Sequence, residues 1–285
     1  MVTNPKELLK GYVEVSSLPT IFNRINEAVN NPRKSTSDIS KIIMEDAGLS
    51  ARLLRIVNSA FYHFPRKIDS ISQAVTIVGT QQIRALALAT SVMKLFKGIP
   101  KDLVDMESFW KHSVGCGLAA KILATYRREP NVELYFTAGM VHDIGRLVMF
   151  GKITEEAREA LFLSRSSGEM LYLCERKVMG FDHAAVGGAL LQAWKLPSSL
   201  EEIVAFHNEP SLATRYPAET AIIHVADIIA HAMQLGGSGE RFVPSLDPVA
   251  WDRVGLPTSV LAPTLEQLDR QFHEAIHTIL VDAWP

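Results

Sequence analysis

The chain has 285 residues, 47% of them hydrophobic and 21% charged, with a net charge of −2. That composition suits a globular protein with a sizeable core, and the charge excludes a bulk electrostatic pull toward nucleic acid or an anionic membrane. The two cysteines form no Cys-x-x-Cys pair, so neither a disulfide framework nor a thiolate zinc site is indicated, and a reduced, cytoplasmic setting is expected.

Helical periodicity runs through the chain from its start. IFNRINEAV (21–29) carries a one-sided stripe of Ile21, Phe22, Ile25, Ala28 and Val29. SDISKIIMED (37–46) and LSARLLRIVNSAFY (49–62) continue the pattern, with Gly48 as a stop between them and Asn58–Ser59 positioned to end the second by bonding freed backbone groups. AVTIVGTQQIRALALATSVMKLF (74–96) reads as two helices broken near Gly79. It carries Arg84 and Lys94, so it is not a membrane span. A linker, IPKDLVDME (99–107), precedes one long helix, FWKHSVGCGLAAKILATYRR. Ser166 and Glu169 have the spacing of a capping box for a helix ending at Gly180. The segment from His183 forms a further helix closed by Pro197. LEEIVAFHN and ETAIIHVADIIAHAMQ follow. GGSGERFVPSLDP (236–248) is a loop, and TLEQLDRQFHEAIHTIL is a last amphipathic helix capped by Thr264. No strand pattern and no repeat occurs. The fold class is all-α.

Chemistry concentrates in GMVHDIGRLVMF (139–150), where His142 and Asp143 interrupt an apolar, helix-like run. Neutral imidazole and carboxylate are metal ligands, and adjacent ligands on a helix diverge by about 100°, so other helices must complete a site around them. Four more residues on apolar helices are candidates: His112, His183, His207 and Asp227. An unpaired carboxylate on an apolar face, as at Asp227, calls for a cation, an arginine or a metal. Each residue also has a plainer reading as a hydrogen-bonded core histidine, or as an Asp227 paired with His224 or His231 at helical spacing. The two latter histidines also suit a role orienting Asp227. Six such residues together favour metal. His63, His273 and His277 read as surface residues, and Trp110 and Trp194 as core aromatics.

GMVHDIGR resembles the motif of the HD superfamily, and the chain from about 15 to 282 resembles the HDOD (HD-related output domain) family. The likeness rests on LPTIFNRI, DAGLSARLLRIVNSAFY, IDSISQAVTIVGTQQIRAL, FWKHSVG and DHAAVGGALLQAWKLP. The resemblance implies an N-terminal helical subdomain (1–105) packed on an HD-like helical bundle (106–285). It also implies a dinuclear site in which Asp143 bridges, with His112, His142 and Asp227 on one ion and His183 and His207 on the other. Iron, manganese and zinc suit such a site about equally, two ions are expected, and no organic cofactor is.

The chain departs from the HD-GYP cyclic-dinucleotide phosphodiesterases, which the same likeness brings in. Ser108 stands where they have a glutamate, Asn208 follows His207, and Arg146 replaces a substrate-contacting lysine while retaining a guanidinium suited to phosphate. This argues against cyclic-di-GMP hydrolysis. A signalling or regulatory module with a retained metal site is the leading expectation. A metal-dependent phosphohydrolase acting on a nucleotide or phosphodiester comes second, and an HD-fold di-iron oxygenase third. The expected partner is a protein of a signalling pathway, with a nucleotide or phosphorylated small molecule as the alternative; neither nucleic acid nor a membrane is expected.

Overall fold

The computed structural model describes residues 4–10, 18–59, 62, 64–96 and 98–280, and His63 falls outside them. Among these residues the secondary structure is helical, with no strand, and no helix is long and apolar enough to cross a membrane. The chain divides into two compact units, residues 18–95 with 269–285 and residues 1–17 with 96–268. This grouping places the linker from Phe96 with the bundle and the end of the last helix with the N-terminal helices.

In the first of these units, α2 (Thr20–Asn30), α3 (Thr36–Met44), α4 (Ala47–Val57) and α5 (Ile71–Val78) bury one stripe each, around Phe22, Ile25, Ile43, Leu53, Ile56 and Ala74, while α6 (Thr80–Val92) buries Ile83 and every residue from Leu86 to Val92. The apolar stripe is the physical reason the first four fold as helices on one core. Ser35 and Asp38 form a reciprocal capping box at α3. Gly48 is not a stop, because Asp46 caps α4 ahead of it by accepting the Leu49 N–H at 2.8 Å. Asn58 ends α4 as expected: its amide donates to Leu54 O and Ile68 O, both at 2.8 Å, and its oxygen accepts the Ile68 N–H at 2.7 Å. Ser59 adds a bond to Ile56 O. The break at Gly79 is present, with φ 102°.

The second unit is built on α7 (Met106–Tyr126), whose buried residues surround the helix rather than forming one stripe. Such a helix belongs at the centre of a bundle. The α8 (Val132–Val141) and α14 (Pro217–Ala232) helices pack on it, and α9 (Ile144–Lys152), α10 (Thr154–Ser167), α11 (Leu171–Met179), α12 (His183–Ala193), α13 (Ser198–Phe206) and the short α15 (Ala250–Val254) complete the unit. The four-residue α1 (Pro5–Leu8) joins this unit, and α16 (Leu261–Leu280) begins in it. Trp110 and Trp194 are core aromatics.

Three local expectations change. Ser166 lies inside the last turn of α10 and bonds Leu163 O, the chain turns at Gly168 (φ 76°), and the first amide of α11 is capped instead by Glu240, 69 residues away (Leu171 N to Oε2, 2.6 Å). The α12 helix ends at Ala193, before Pro197, as Lys195 turns left-handed. Thr264 bonds Val260 O from within α16, which starts at Leu261.

Candidate metal centre

All six candidate ligands lie in the α7–α14 unit and are drawn into one buried cluster: His112, His142 and His183 are 0% exposed, His207 1%, Asp143 2% and Asp227 6%. The HDIG stretch explains how. The α8 helix stops at Val141, His142 and Asp143 occupy the break, and α9 restarts at Ile144, so the adjacent ligands leave the backbone at a junction rather than along one helix face. Gly145 then lets α9 press on α12: a Cβ there would sit 2.0 Å from His183 O and 2.7 Å from Gly187 N. That contact sets the first turn of α12, and with it His183, beside Asp143.

Asp143 stands between two groups of imidazoles. Its Oδ1 faces His183 Nε2 at 3.0 Å and His207 Nε2 at 3.8 Å, and its Oδ2 faces His142 Nε2 at 3.4 Å and His112 Nε2 at 3.8 Å. Asp227 Oδ1 completes the second group, 3.0 Å from His112 Nε2 and 3.4 Å from His142 Nε2. Ligand atoms of His112, His142 and Asp143 lie within 4.8 Å of one another, as do those of Asp143, His183 and His207.

Bonds on the far side of three of the four rings, those of His142, His183 and His207, aim them inward. His142 Nδ1 bonds Gly139 O at 2.7 Å and His207 Nδ1 bonds Val204 O at 2.8 Å, each three residues back in its own helix. His183 Nδ1 meets Glu175 Oε2 at 2.6 Å, and the same oxygen accepts the His183 N–H at 2.9 Å. Fixing Nδ1 in this way leaves Nε2 as the ligand atom, an arrangement characteristic of metal-binding histidines. His112 Nε2, His142 Nε2 and Asp227 Oδ1 are buried without a directed hydrogen bond, even where they come as close as 3.0 Å. Buried polar atoms in native proteins are otherwise satisfied, so this orphaned set fits a cation.

The electrostatics agree. Asp143 lies well below the usual carboxylate range: burial opposes this, but Arg146, His142 and His183 outweigh it. Asp227 is lowered in the same sense, against burial, by His231, His112 and His142. Burial, with His142 and His183 nearby, pushes His207 down to about 3, and burial lowers His112. At His183 burial and Arg146 work downward, yet Glu175 and Asp143 lift it to about 9. The two carboxylates therefore demand positive charge among the rings, which protons or a metal ion supply.

Arg146 is 3% exposed and committed inward, with Nη1 3.1 Å from Asp143 Oδ2 and bonded to Ser238 Oγ, and Nε 3.6 Å from Glu175 Oε1. In this arrangement it braces the aspartate and does not face an open phosphate site. His224 bonds His207 O through Nδ1 and accepts the Asp247 N–H through Nε2, so it holds His207's backbone and not Asp227. His231 does meet Asp227 Oδ1, at 3.0 Å, and its ring stands edge-on to His112.

Sequence reasoning missed three members of the cluster. Cys116 groups with His142 and Asp227, and its only signal is its position four residues after His112, on the same helix face. Glu175 has no local signal, since its helix is brought to His183 by the turn at Gly180. Ser238 sits in a Gly-rich stretch that reads only as a loop, and its side chain is fully buried.

With this geometry in view, comparison with known proteins is specific. The HDOD domain profile matches residues 15–210. The chain belongs to the HDOD family. Five of the six HDOD-chain candidates lie inside that match, and Asp227 lies beyond it. An uncharacterized protein of Treponema pallidum is 24% identical over 196 residues, which is 68% of this chain but 38% of that protein, so the chain spans about two fifths of that relative's length. Among solved structures, an HDOD domain protein of unknown function from Geobacter sulfurreducens superposes with a TM-score of 0.76 at 23% identity, over 96% of this chain and 97% of that one. A provisionally named phosphohydrolase from Shewanella amazonensis gives 0.67 at 24%, over 97% and 92%. A provisionally named signal transduction protein from Marinobacter aquaeolei gives 0.72 at 20%, over 96% and 60%. These likenesses establish the shared HDOD fold.

Proposed function

We propose that the chain is an HDOD regulatory module whose buried cluster holds two divalent metal ions as a sensing or structural element. His112, His142 and Asp227 would serve one ion, His183 and His207 the other, and Asp143 both. The observation that carries this reading is the gathering of six ligand residues at exposures of 6% or less, with His112 Nε2, His142 Nε2 and Asp227 Oδ1 lacking a directed hydrogen bond and the rings of His142, His183 and His207 held through Nδ1. A hydrolytic centre must admit its substrate, whereas a centre closed in this way acts through what it does to the protein around it. An all-imidazole and carboxylate donor set suits iron, manganese or zinc, and with Cys116 alongside it leans away from magnesium and calcium. The domain serves a protein partner of a signalling pathway.

The test is elemental analysis of protein purified without added metal. About two equivalents per chain are expected, lost in Asp143→Ala and retained in His277→Ala, whose side chain is exposed. Equal metal content in the two variants would overturn the assignment.

One observation favours phosphohydrolase chemistry as a second reading: the two oxygens of Asp143 face different histidine groups, as in sites where paired metals clamp a phosphoryl group. The provisional name of the Shewanella amazonensis structure points the same way. Hydrolysis of bis(p-nitrophenyl) phosphate by metal-replete protein, abolished by Asp143→Ala, would favour it over the regulatory reading.

A further inference from the structure

A second cavity-forming feature lies outside the histidine cluster, on the segment GGSGER (236–241), which falls beyond the family-matched residues. A cavity of about 440 Å³ opens there, framed by Leu103, Val104, Ser108, Arg165, Glu240 and Arg241. That is within the roughly 300–1,000 Å³ of ordinary small-molecule pockets, toward the lower end.

The charges in it are unequally committed. Its two carboxylates are turned to backbone amides: Asp105, also on its wall, accepts Glu107 N and Ser108 N at 3.4 and 3.2 Å. Glu240 accepts Leu171 N, Arg241 N and Phe242 N at 2.6, 2.7 and 3.0 Å. The two guanidiniums, Arg165 in the last turn of α10 and Arg241 on the loop, have no ion-pair partner among the described residues. The four charges of the lining balance, but the carboxylate oxygens are taken up by backbone amides while the guanidinium N–H groups remain open to a ligand, and Leu103 and Val104 line the cavity on its apolar side.

The loop is also held in place. Gly236 has φ 94°, and a Cβ on it would fall 2.3 Å from Ser108 O and 2.6 Å from His112 N, so only glycine lets the strand of chain lie on α7. Gly237 N donates to Ser108 O at 3.1 Å, and the fully buried Ser238 points the other way, onto Arg146. A pocket whose backbone is pinned in advance loses little entropy when a ligand enters.

We infer that this cavity binds a compact organic phosphate monoester, with the phosphate between Arg165 and Arg241 and its organic part against Leu103 and Val104. Arginine forks match phosphate oxygens in pairs. Gly237 and Gly239 line the cavity while Ser238 between them reaches Arg146, so occupancy is felt one residue from the histidine cluster. The inference concerns the cavity alone and stands whether or not the cluster holds metal.

The experiment is isothermal titration calorimetry of the full chain with adenosine 5′-monophosphate, adenosine and inorganic phosphate as probes. Saturable binding of the monophosphate is expected, at least about tenfold tighter than adenosine or phosphate alone. Arg165→Ala and Arg241→Ala should each weaken it by about tenfold or more, while Arg33→Ala, at an exposed position on the other unit, leaves it unchanged. The arginines are surface side chains, and matching melting temperatures will show that the variants fold. Absence of saturable monophosphate binding overturns the inference, as does wild-type affinity in the Arg165→Ala/Arg241→Ala double variant. Equal affinity for inorganic phosphate and the monophosphate also overturns it, showing an adventitious anion contact.

Discussion

Glu175→Gln isolates the residue that aims His183. Glutamine keeps the shape of the side chain and one acceptor oxygen but removes its charge. In the native protein Oε2 meets His183 Nδ1 at 2.6 Å and accepts the His183 N–H at 2.9 Å, with Arg146 Nε 3.6 Å from Oε1. Hydrogen bonds to a charged partner contribute about 1.5–3 kcal/mol against roughly 0.5–1.5 for neutral ones, so neutralising the acceptor costs about 1–2 kcal/mol at His183. Arg146, buried and left with Asp143 as its carboxylate within 4 Å, adds a desolvation cost, for a total of roughly 2–4 kcal/mol. Loss of an outer partner of a metal-bound histidine typically weakens metal binding by about 10–100-fold. Urea unfolding of chelator-treated protein reads the first quantity, and competition with a chromophoric chelator reads the second. A variant with wild-type midpoint and wild-type metal affinity would refute the view that Glu175 positions His183.

Gly145→Ala should force α9 and α12 apart, since the added carbon would meet His183 O at 2.0 Å and neither backbone can yield locally. A loss of about 1–3 kcal/mol or more and reduced metal content are expected, and an unchanged melting curve would contradict it. Asn58→Ala removes the three bonds joining Leu54 to Ile68, so thermal denaturation should show a loss of roughly 2–3 kcal/mol. Glu202 carries the pH prediction. Burial pushes its pKa up, but the amide and guanidinium of Arg215, with the amides of Tyr216 and Thr214, outweigh this and hold it below the usual glutamate value. Its contribution is therefore present in full above the unfolded glutamate pKa and is lost as pH falls through the lower folded value. Glu202→Gln should be less stable than wild type at neutral pH, with the gap closing under acid; a gap that does not change with pH would sink the linkage.

The sequence by itself determined the all-α class, most helix interiors and the six candidate ligands. These depend on local information: apolar residues recurring at helical spacing, and ionisable residues placed where an apolar face makes them costly unless paired. Even the Asn58 stop was legible, because an amide that short reaches its own helix's last carbonyls. Helix starts read less well where the cap is supplied from afar, and α11 shows why: the amide of Leu171 is satisfied by Glu240, which no window around Ser166 contains. Tertiary structure alone decided that Asp143 splits its two oxygens between two histidine groups, because that depends on how closely Gly145 lets α9 approach α12. It also turned Arg146 inward and buried Ser238 of a glycine-rich loop against it. A side chain's partners at 30 to 90 residues' separation are set by helix packing, and packing is where local spacing stops carrying information.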